Sequence, residues 1–531
     1  MTVGAAAMVL RFGAADACVA RLLCDEHPPD DVAFTVVEPD LSARELTYGE
    51  LGRESARFAA ALADLGVAPG DRVAVLMGRS IEHIVTLVGI WRRGAVLVPL
   101  STALGRPGIA ARLRAADVAL VVVDADRRTK LAAGEGVPAD PRWRVVVVGG
   151  EPGRRELSFE ALMALYPDDP PAPVAVGGDG ALLHVFTAGT TGPPKAVPVP
   201  VRALAAFAVA RLATGDGPDE VHWDTADPGW ATGLYSAVLG PLATGRRGLL
   251  TRGSLVPAPA WRLLVHYGVT HLHAGPTHFR TMAAAVPPPP GLVLRYASST
   301  GEPLPPDLVT WAEKVFGHPL HDRYGQAELG TVLLDDPGCG PGTTGRPLPG
   351  WSVAVLSDDG DRPAPPGTVG RLAVERDASP LMWFTGYAGD PERTAASFTR
   401  DGRWYLTGDT AVADAAGCHR FSARTGDVIF TAGHRIAPFE VESVLMLHDD
   451  VVEAVVVGVP TARRGTVPEA YVVLRPGAEA VFGLADDLKR TVRAKLPGYA
   501  VPAVVHVVDA LPRTPGGTVR RAALRERRAN W

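Results

Sequence analysis

Between residues 72 and 148, short runs of β-branched residues alternate with segments of helical spacing. The runs are Arg72-Val73-Ala74-Val75-Leu76, Ala95–Leu100, Val118–Val123 and Val145–Val148, and Ile81–Trp91 reads as a helix between the first two. Leu46–Leu65 reads as an earlier helix, stopped by Gly66 and Pro69-Gly70. Strands separated by helices cannot pair as hairpins. They need crossovers, and crossovers give parallel sheets covered on both faces. The expected fold class is α/β.

After about residue 345 the pattern turns to shorter strands and turns, which predicts a small β-rich subdomain over about 345–422. From 428 onward an α+β pattern follows. Its strands are Val428–Thr431, Val451–Val459, Ala470–Leu474 and Val504–Val508, and its helices are Phe439–Leu447 and 484–495. The expected organisation is a large N-terminal domain of αβα-type sheets (1–422), a hinge (423–427) and a small mobile α+β C-terminal domain (428–531). At roughly 150 residues per domain, 531 residues allow about three to four compact units. No internal repeat is visible.

Composition excludes several classes of function. A net charge of −5 argues against a nucleic-acid binder or a polybasic membrane-surface protein. A hydrophobic fraction of 47% with 21% charged residues belongs to a folded chain rather than a disordered one. No apolar run reaches the roughly 18 residues of a membrane span. Phe12, Ala15, Cys18, Val19, Leu22 and Leu23 follow helical spacing and predict one packed first helix in place of a signal peptide. Cys18, Cys24, Cys339 and Cys418 are too scattered for a disulfide scaffold or a zinc site, which suggests a reducing, cytoplasmic setting. The oligomeric state is not legible.

The most informative segment is Thr187-Ala-Gly-Thr-Thr-Gly-Pro-Pro-Lys195, directly after the apolar strand Ala181–Phe186. Gly189 and Gly192 let backbone amides approach an anion, while Thr187, Thr190 and Thr191 offer hydroxyls and Lys195 a positive charge. Lysine is scarce here: Lys130, Lys195, Lys314, Lys489 and Lys495 stand among 53 basic residues, so one inside a motif carries weight. The spacing is not that of the common phosphate loop. Taken alone, the segment is either an anion cradle or simply a turn.

The segment resembles the phosphate-binding signature of the adenylate-forming superfamily, which comprises acyl-CoA synthetases, peptide-synthetase adenylation domains and luciferases. The rest of that pattern follows in order. Asp227-Pro228-Gly229-Trp230, Gly301-Glu302-Pro303-Leu304, Tyr324-Gly325-Gln326-Ala327-Glu328 and Gly345-Arg346-Pro347 come first. Tyr405-Leu406-Thr407-Gly408-Asp409, Arg424, Gly433-His434-Arg435-Ile436 with Glu440, and Pro512-Arg513-Thr514-Pro515-Gly516-Gly517 complete the set. The matches span residues 46 to 525 and look most like the acetyl-CoA and medium-chain acyl-CoA synthetase branch.

That resemblance implies ATP, Mg²⁺ and an acid substrate, with coenzyme A as acceptor. It places the 187–195 loop on the β- and γ-phosphates, with Lys195, Thr190, Thr191 and Glu328 as the catalytic set and Glu328 as the Mg²⁺ ligand. Asp409 would accept the ribose hydroxyls with Arg424 assisting, and Tyr324, Gly325 and Gln326 with Gly301, Glu302 and Pro303 would hold the adenine. Gly433 would line the coenzyme A tunnel. On local grounds alone, Glu328 could be a helix-start carboxylate and Asp409 a turn-former after Gly408.

Four positions depart from the family pattern. Thr518 stands where the family has its catalytic lysine, with Gly517, Arg521 and Leu524 keeping the register. Gly426 replaces an acidic hinge residue, Ala188 a loop serine, and Ala327 the threonine at the α-phosphate. The leading expectation is an ATP-dependent ligase that adenylates a carboxylate and passes it to coenzyme A. A second reading is a relative that activates a small oxyanion such as nitrite for transfer to an amine. A third is a nucleotide-binding protein with little catalysis. Gly325 leaves room for more than acetate, with Trp230, Tyr235, His273 or Phe279 as candidates to refill the space.

Overall fold

The computed structural model describes the chain apart from residues 1–3, 167–171, 188–194, 216, 218, 254–256, 285–287, 302–303, 341, 358–359, 425–426, 428, 432–433, 437, 462–464, 479–482, 515–518 and 530–531. Among the described residues the strands form four sheets, of seven, nine, four and five strands. The seven-stranded sheet contains all four β-branched runs. Arg144–Val148, Leu120–Asp124, Arg72–Leu76 and Val96–Pro99 lie side by side and parallel, and Ala181–Thr187 extends them. Val73, Val121, Val146 and Leu97 are fully buried, because helices cover both faces. The helix Tyr48–Asp64 opens with a reciprocal cap: Thr47 Oγ1 accepts the Glu50 N–H at 3.2 Å, and the Glu50 carboxylate accepts the Thr47 N–H at 3.0 Å. Its Phe58 and Leu62 pack into the same core as Ile84 and Leu87 of the helix Ile81–Arg92.

The nine-stranded sheet has a parallel centre made of Gly248–Thr251, His222–Asp224, His271–His273, Tyr296–Ser299 and Leu320–Gln326. Beyond it, Val353–Leu356, Val369–Glu375, Trp404–Ala413 and His419–Arg424 form the antiparallel β-rich subdomain. The last sheet contains Val451–Thr461 paired with Gly465–Leu474 and packs the helices Pro438–Leu445 and Leu484–Lys495 through Val441, Leu445, Val456, Leu488 and Val492. The architecture is a large N-terminal α/β domain followed by a small α+β C-terminal domain. Asp427 is gripped by Arg525 at 2.7 Å and Arg521 at 3.4 Å, both on the final helix Arg521–Ala529. Arg521 also pairs with the buried Glu442.

Two expectations need correction. The single first helix is broken: Ala5–Phe12 ends at Gly13, and a separate wide turn runs from Arg21 to Asp25. The intervening segment leaves the helical path because Ala14 and Ala17 carbonyls accept N–H groups from Val176, Gly177 and Gly178. Helical spacing did not show that competition. The cysteines are not all unpaired either: Cys339 and Cys418 form a disulfide across 79 residues of sequence, while Cys18 and Cys24 are free and buried. Topology makes the pair, since Thr344 and Gly345 exchange hydrogen bonds with His419. Among the described residues no helix is long and apolar enough to cross a membrane.

Candidate active site

Five of the sequence-predicted side chains, Lys195, Glu328, Tyr324, Gln326 and Asp409, are brought together with Tyr387 and Tyr405. Lys195 begins its strand beside Thr187, its register partner, and its Nζ donates to the Tyr387 hydroxyl at 3.3 Å while lying 4.9 Å from that ring's centre. The Tyr387 hydroxyl donates to Glu328 Oε1 at 2.7 Å. On the other side Asp409 Oδ2 accepts from the Tyr324 hydroxyl at 2.6 Å and from Gln326 Nε2 at 2.9 Å. Tyr405 joins the halves: its hydroxyl donates to Gln326 Oε1 at 3.1 Å, and it lies within electrostatic reach of Glu328 and Tyr387. Burial, with the Glu328 carboxylate beside it, pushes the Tyr387 phenol well above its ordinary range. The phenol therefore stays protonated and keeps donating to Glu328.

Local alternatives for the two carboxylates fall away. Glu328 does not start a helix; it sits in the tight turn between the strands Leu320–Gln326 and Gly330–Leu334 and is 7% exposed. Asp409 is not in a turn but inside the strand Trp404–Ala413, 3% exposed and opposite Arg424 in register. Gly301 lies at the end of the strand Tyr296–Ser299 with φ +90°. Gly189, Thr190, Thr191, Gly192, Glu302, Pro303, Gly433, Ala188, Gly426 and Thr518 lie outside the described residues.

A cavity adjoins this cluster at Gln326, which belongs to both, and Gly301 and Gly325 also line it. Its floor is the face of the nine-stranded sheet that carries His222 and Asp224, His271 and His273, Tyr296 and Ser298, then His321 and Arg323, as register and alternation require. The rings stack across strands, His222 on His271 at 4.1 Å and Tyr296 on His321 at 4.6 Å. Phe207 and Tyr235, stacked at 4.1 Å, and the buried Arg211 complete the wall. His222 lies 3.2 Å from Glu220, and these two with His271 offer ligand atoms within 4.8 Å of one another. Tyr235 and His273 do border the space beside Gly325; Trp230 and Phe279 do not, Phe279 being fully buried in a separate core. Gly325 itself is fixed by packing, since a Cβ there would stand 2.2 Å from the Gly330 carbonyl oxygen.

Residues 23–387 match the AMP-binding enzyme family, and residues 440–518 match the AMP-binding enzyme C-terminal domain. The chain belongs to the AMP-binding enzyme family. It is 31% identical over 493 residues to the acetyl-coenzyme A synthetase of Bacillus subtilis (strain 168), covering 90% of this chain and 84% of that protein. It is 31% identical over 497 residues to 4-hydroxybutyrate–CoA ligase 1 of Metallosphaera sedula, covering 91% and 85%. A solved Brucella canis acyl-CoA synthetase superposes with a TM-score of 0.75 at 37% identity, covering 99% of this chain and 97% of that one. As an AMP-binding enzyme of the acyl-CoA synthetase type, the chain is an ATP-dependent, AMP-forming ligase that works with Mg²⁺.

The donor set suits that ion. Mg²⁺ takes hard oxygens, usually one or two carboxylates plus phosphate oxygens. Among the described residues Glu328 engages Tyr387 through Oε1 alone, which leaves Oε2 to a cation. Sequence reasoning missed Tyr387 and gave Tyr405 no role, because the run Trp383-Phe384-Thr385-Gly386-Tyr387 reads as core. It also missed Asp224, His222, His271 and Arg323. A signal existed: His-Trp-Asp, His-Leu-His, Tyr-Ala-Ser and His-Asp-Arg bring alternate polar residues into parallel strands, which are ordinarily apolar throughout.

Burial also sets an acid limit on this AMP-binding enzyme. His83, His273 and His278 are each pushed down to about 4 by desolvation. Unfolded imidazoles titrate near 6.5, so between pH 6.5 and 4 the unfolded chain binds more protons. The stability present above pH 6.5 is therefore lost as pH falls through that window. A series of Tm values from pH 7.5 to 4.5 should begin to fall near 6.5, with proton uptake on unfolding. A Tm unchanged from pH 7.5 to 5 contradicts the burial of these three side chains.

Proposed function

We propose that this chain activates a carboxylic acid as its AMP anhydride and transfers the acyl group to coenzyme A. A carboxylate oxygen attacks the α-phosphorus of ATP and pyrophosphate departs; the thiol then attacks the acyl carbon, releasing AMP and a proton. Lys195 and the 187–195 segment bear on the β- and γ-phosphates. Asp409, oriented by Tyr324 and Gln326, receives the ribose hydroxyls, and Arg424 assists from the paired strand. Glu328 would hold Mg²⁺, which when bound neutralises charge on the phosphate oxygens. Gly433 is proposed to border the coenzyme A path.

One observation carries this reading: the Lys195–Tyr387–Glu328 and Tyr324–Asp409–Gln326 groups are joined through Tyr405, and Gln326 of that network also borders the cavity. The test is pyrophosphate and AMP release from ATP with a panel of carboxylates and coenzyme A. Acid-dependent pyrophosphate release with acyl-CoA formation is expected. Release that needs nitrite and an aryl amine, but no carboxylate, would replace the acid by an oxyanion.

A further inference from the structure

A pocket that had only to hold an alkyl or plain aryl tail would be lined by apolar side chains with a few polar groups at the reacting end. This cavity is polar along its floor. Asp224, His273 and Ser298 are register partners across three neighbouring strands on the cavity face, and the row ends on the fourth strand at Arg323, two residues past His321, the partner of Ser298. His273 Nδ1 lies 3.0 Å from Ser298 Oγ, and burial keeps that imidazole neutral at physiological pH. The two ends of the row carry opposite charge.

Those ends are incompletely satisfied. Arg323 is 8% exposed; its Nη2 donates to Thr331 Oγ1 at 3.2 Å, while its Nε is buried and has no hydrogen-bond partner among the described residues. Asp224 is also 8% exposed; Oδ1 accepts the Ala226 N–H at 2.8 Å, while Oδ2 is buried with no such partner. A buried donor and a buried acceptor left this way ask for complementary groups from whatever fills the space. Asp224 and Arg323 are within electrostatic reach of each other. A second carboxylate drawn to Arg323 would therefore be repelled by Asp224, and an ammonium drawn to Asp224 would be repelled by Arg323. A hydroxyl accepts from one and donates to the other without adding charge.

We propose that the acid this chain activates is hydroxylated, with its hydroxyl groups read by the row Asp224, His273, Ser298 and Arg323. The inference rests on the proposed ligase function, with the cavity beside Gly325 and Gln326 taken as the acid's pocket. It goes beyond that reading by naming the acid's chemical class.

The test is calorimetric binding to the full chain saturated with α,β-methylene-ATP, which needs no turnover. The probes are matched pairs: benzoate with 4-hydroxybenzoate and 3,4-dihydroxybenzoate, and butyrate with 4-hydroxybutyrate. In at least one pair the hydroxylated acid should bind more than tenfold tighter, because a site built to pair a hydroxyl penalises its absence. Asp224→Asn, nearly isosteric, and Arg323→Met should each reduce that ratio below about threefold. If Arg323→Met fails to fold, Asp224→Asn decides alone. No hydroxyl preference in any pair, including no binding by either member, overturns the inference. A hydroxyl preference without pyrophosphate release supports the inference and defeats the ligase reading; pyrophosphate release on plain acids with no preference does the reverse.

Discussion

Glu328→Gln is expected to lower acid-dependent pyrophosphate release by about 10²–10³-fold, the usual loss when one preorganised charge-stabilising group is removed. The substitution keeps the side chain's shape and the oxygen that accepts from Tyr387, so the 7%-exposed turn should remain folded. It removes the negative charge through which Mg²⁺ would be held. Tyr387→Phe separates the two roles of that network. It deletes the hydroxyl that links Lys195 to Glu328 without touching either charge, and a loss of about 10–100-fold is expected, the scale of a group acting through another. Steady-state kinetics with unchanged circular dichroism checks both. Equal activity of Glu328→Gln and wild type would remove Glu328 from the chemistry.

Thr518→Lys is the second large effect, in the opposite direction. The sequence resemblance puts Thr518 at the family's lysine position, with Gly517, Arg521 and Leu524 keeping the register, and the substitution tests that assignment. A cation aimed at charge that develops on the α-phosphate lowers the barrier; an uncharged hydroxyl does so far less. Restoring lysine should raise adenylate formation about 10²-fold or more. The neighbouring arginines are poor substitutes, because a planar fork does not occupy the place of a point charge. A rate unchanged by Thr518→Lys would mean that this enzyme stabilises its transition state by other groups.

The fold was legible wherever local pattern and global topology agree. The strand Arg72–Leu76 and the helix from Ile81 coincide with their sequence signals, since buried β-branched runs and a Ser80 cap leave few alternatives. The first helix was misread because backbone acceptors at Ala14 and Ala17 are taken by the distant Gly177 and Gly178, a tertiary competition invisible in spacing. The Cys339–Cys418 pair is likewise a product of topology, joining residues 79 apart. In the candidate site, Lys195, Glu328 and Asp409 were singled out because each is embedded in a resemblance. Tyr387, Arg323 and Asp224 were not, because each looks locally like core or like an edge charge. Only strand register shows that the last two share one face.

The central claim is that a carboxylate attacks the α-phosphorus of ATP in the space bordered by Glu328 and Asp409. Oxygen tracing tests it most directly: a turnover-supporting acid labelled with ¹⁸O in its carboxylate is incubated with ATP, Mg²⁺ and coenzyme A, and the AMP is weighed by mass spectrometry. One ¹⁸O atom per AMP is the expected result, carried over from the anhydride. AMP formed without label, or ADP in its place, contradicts it.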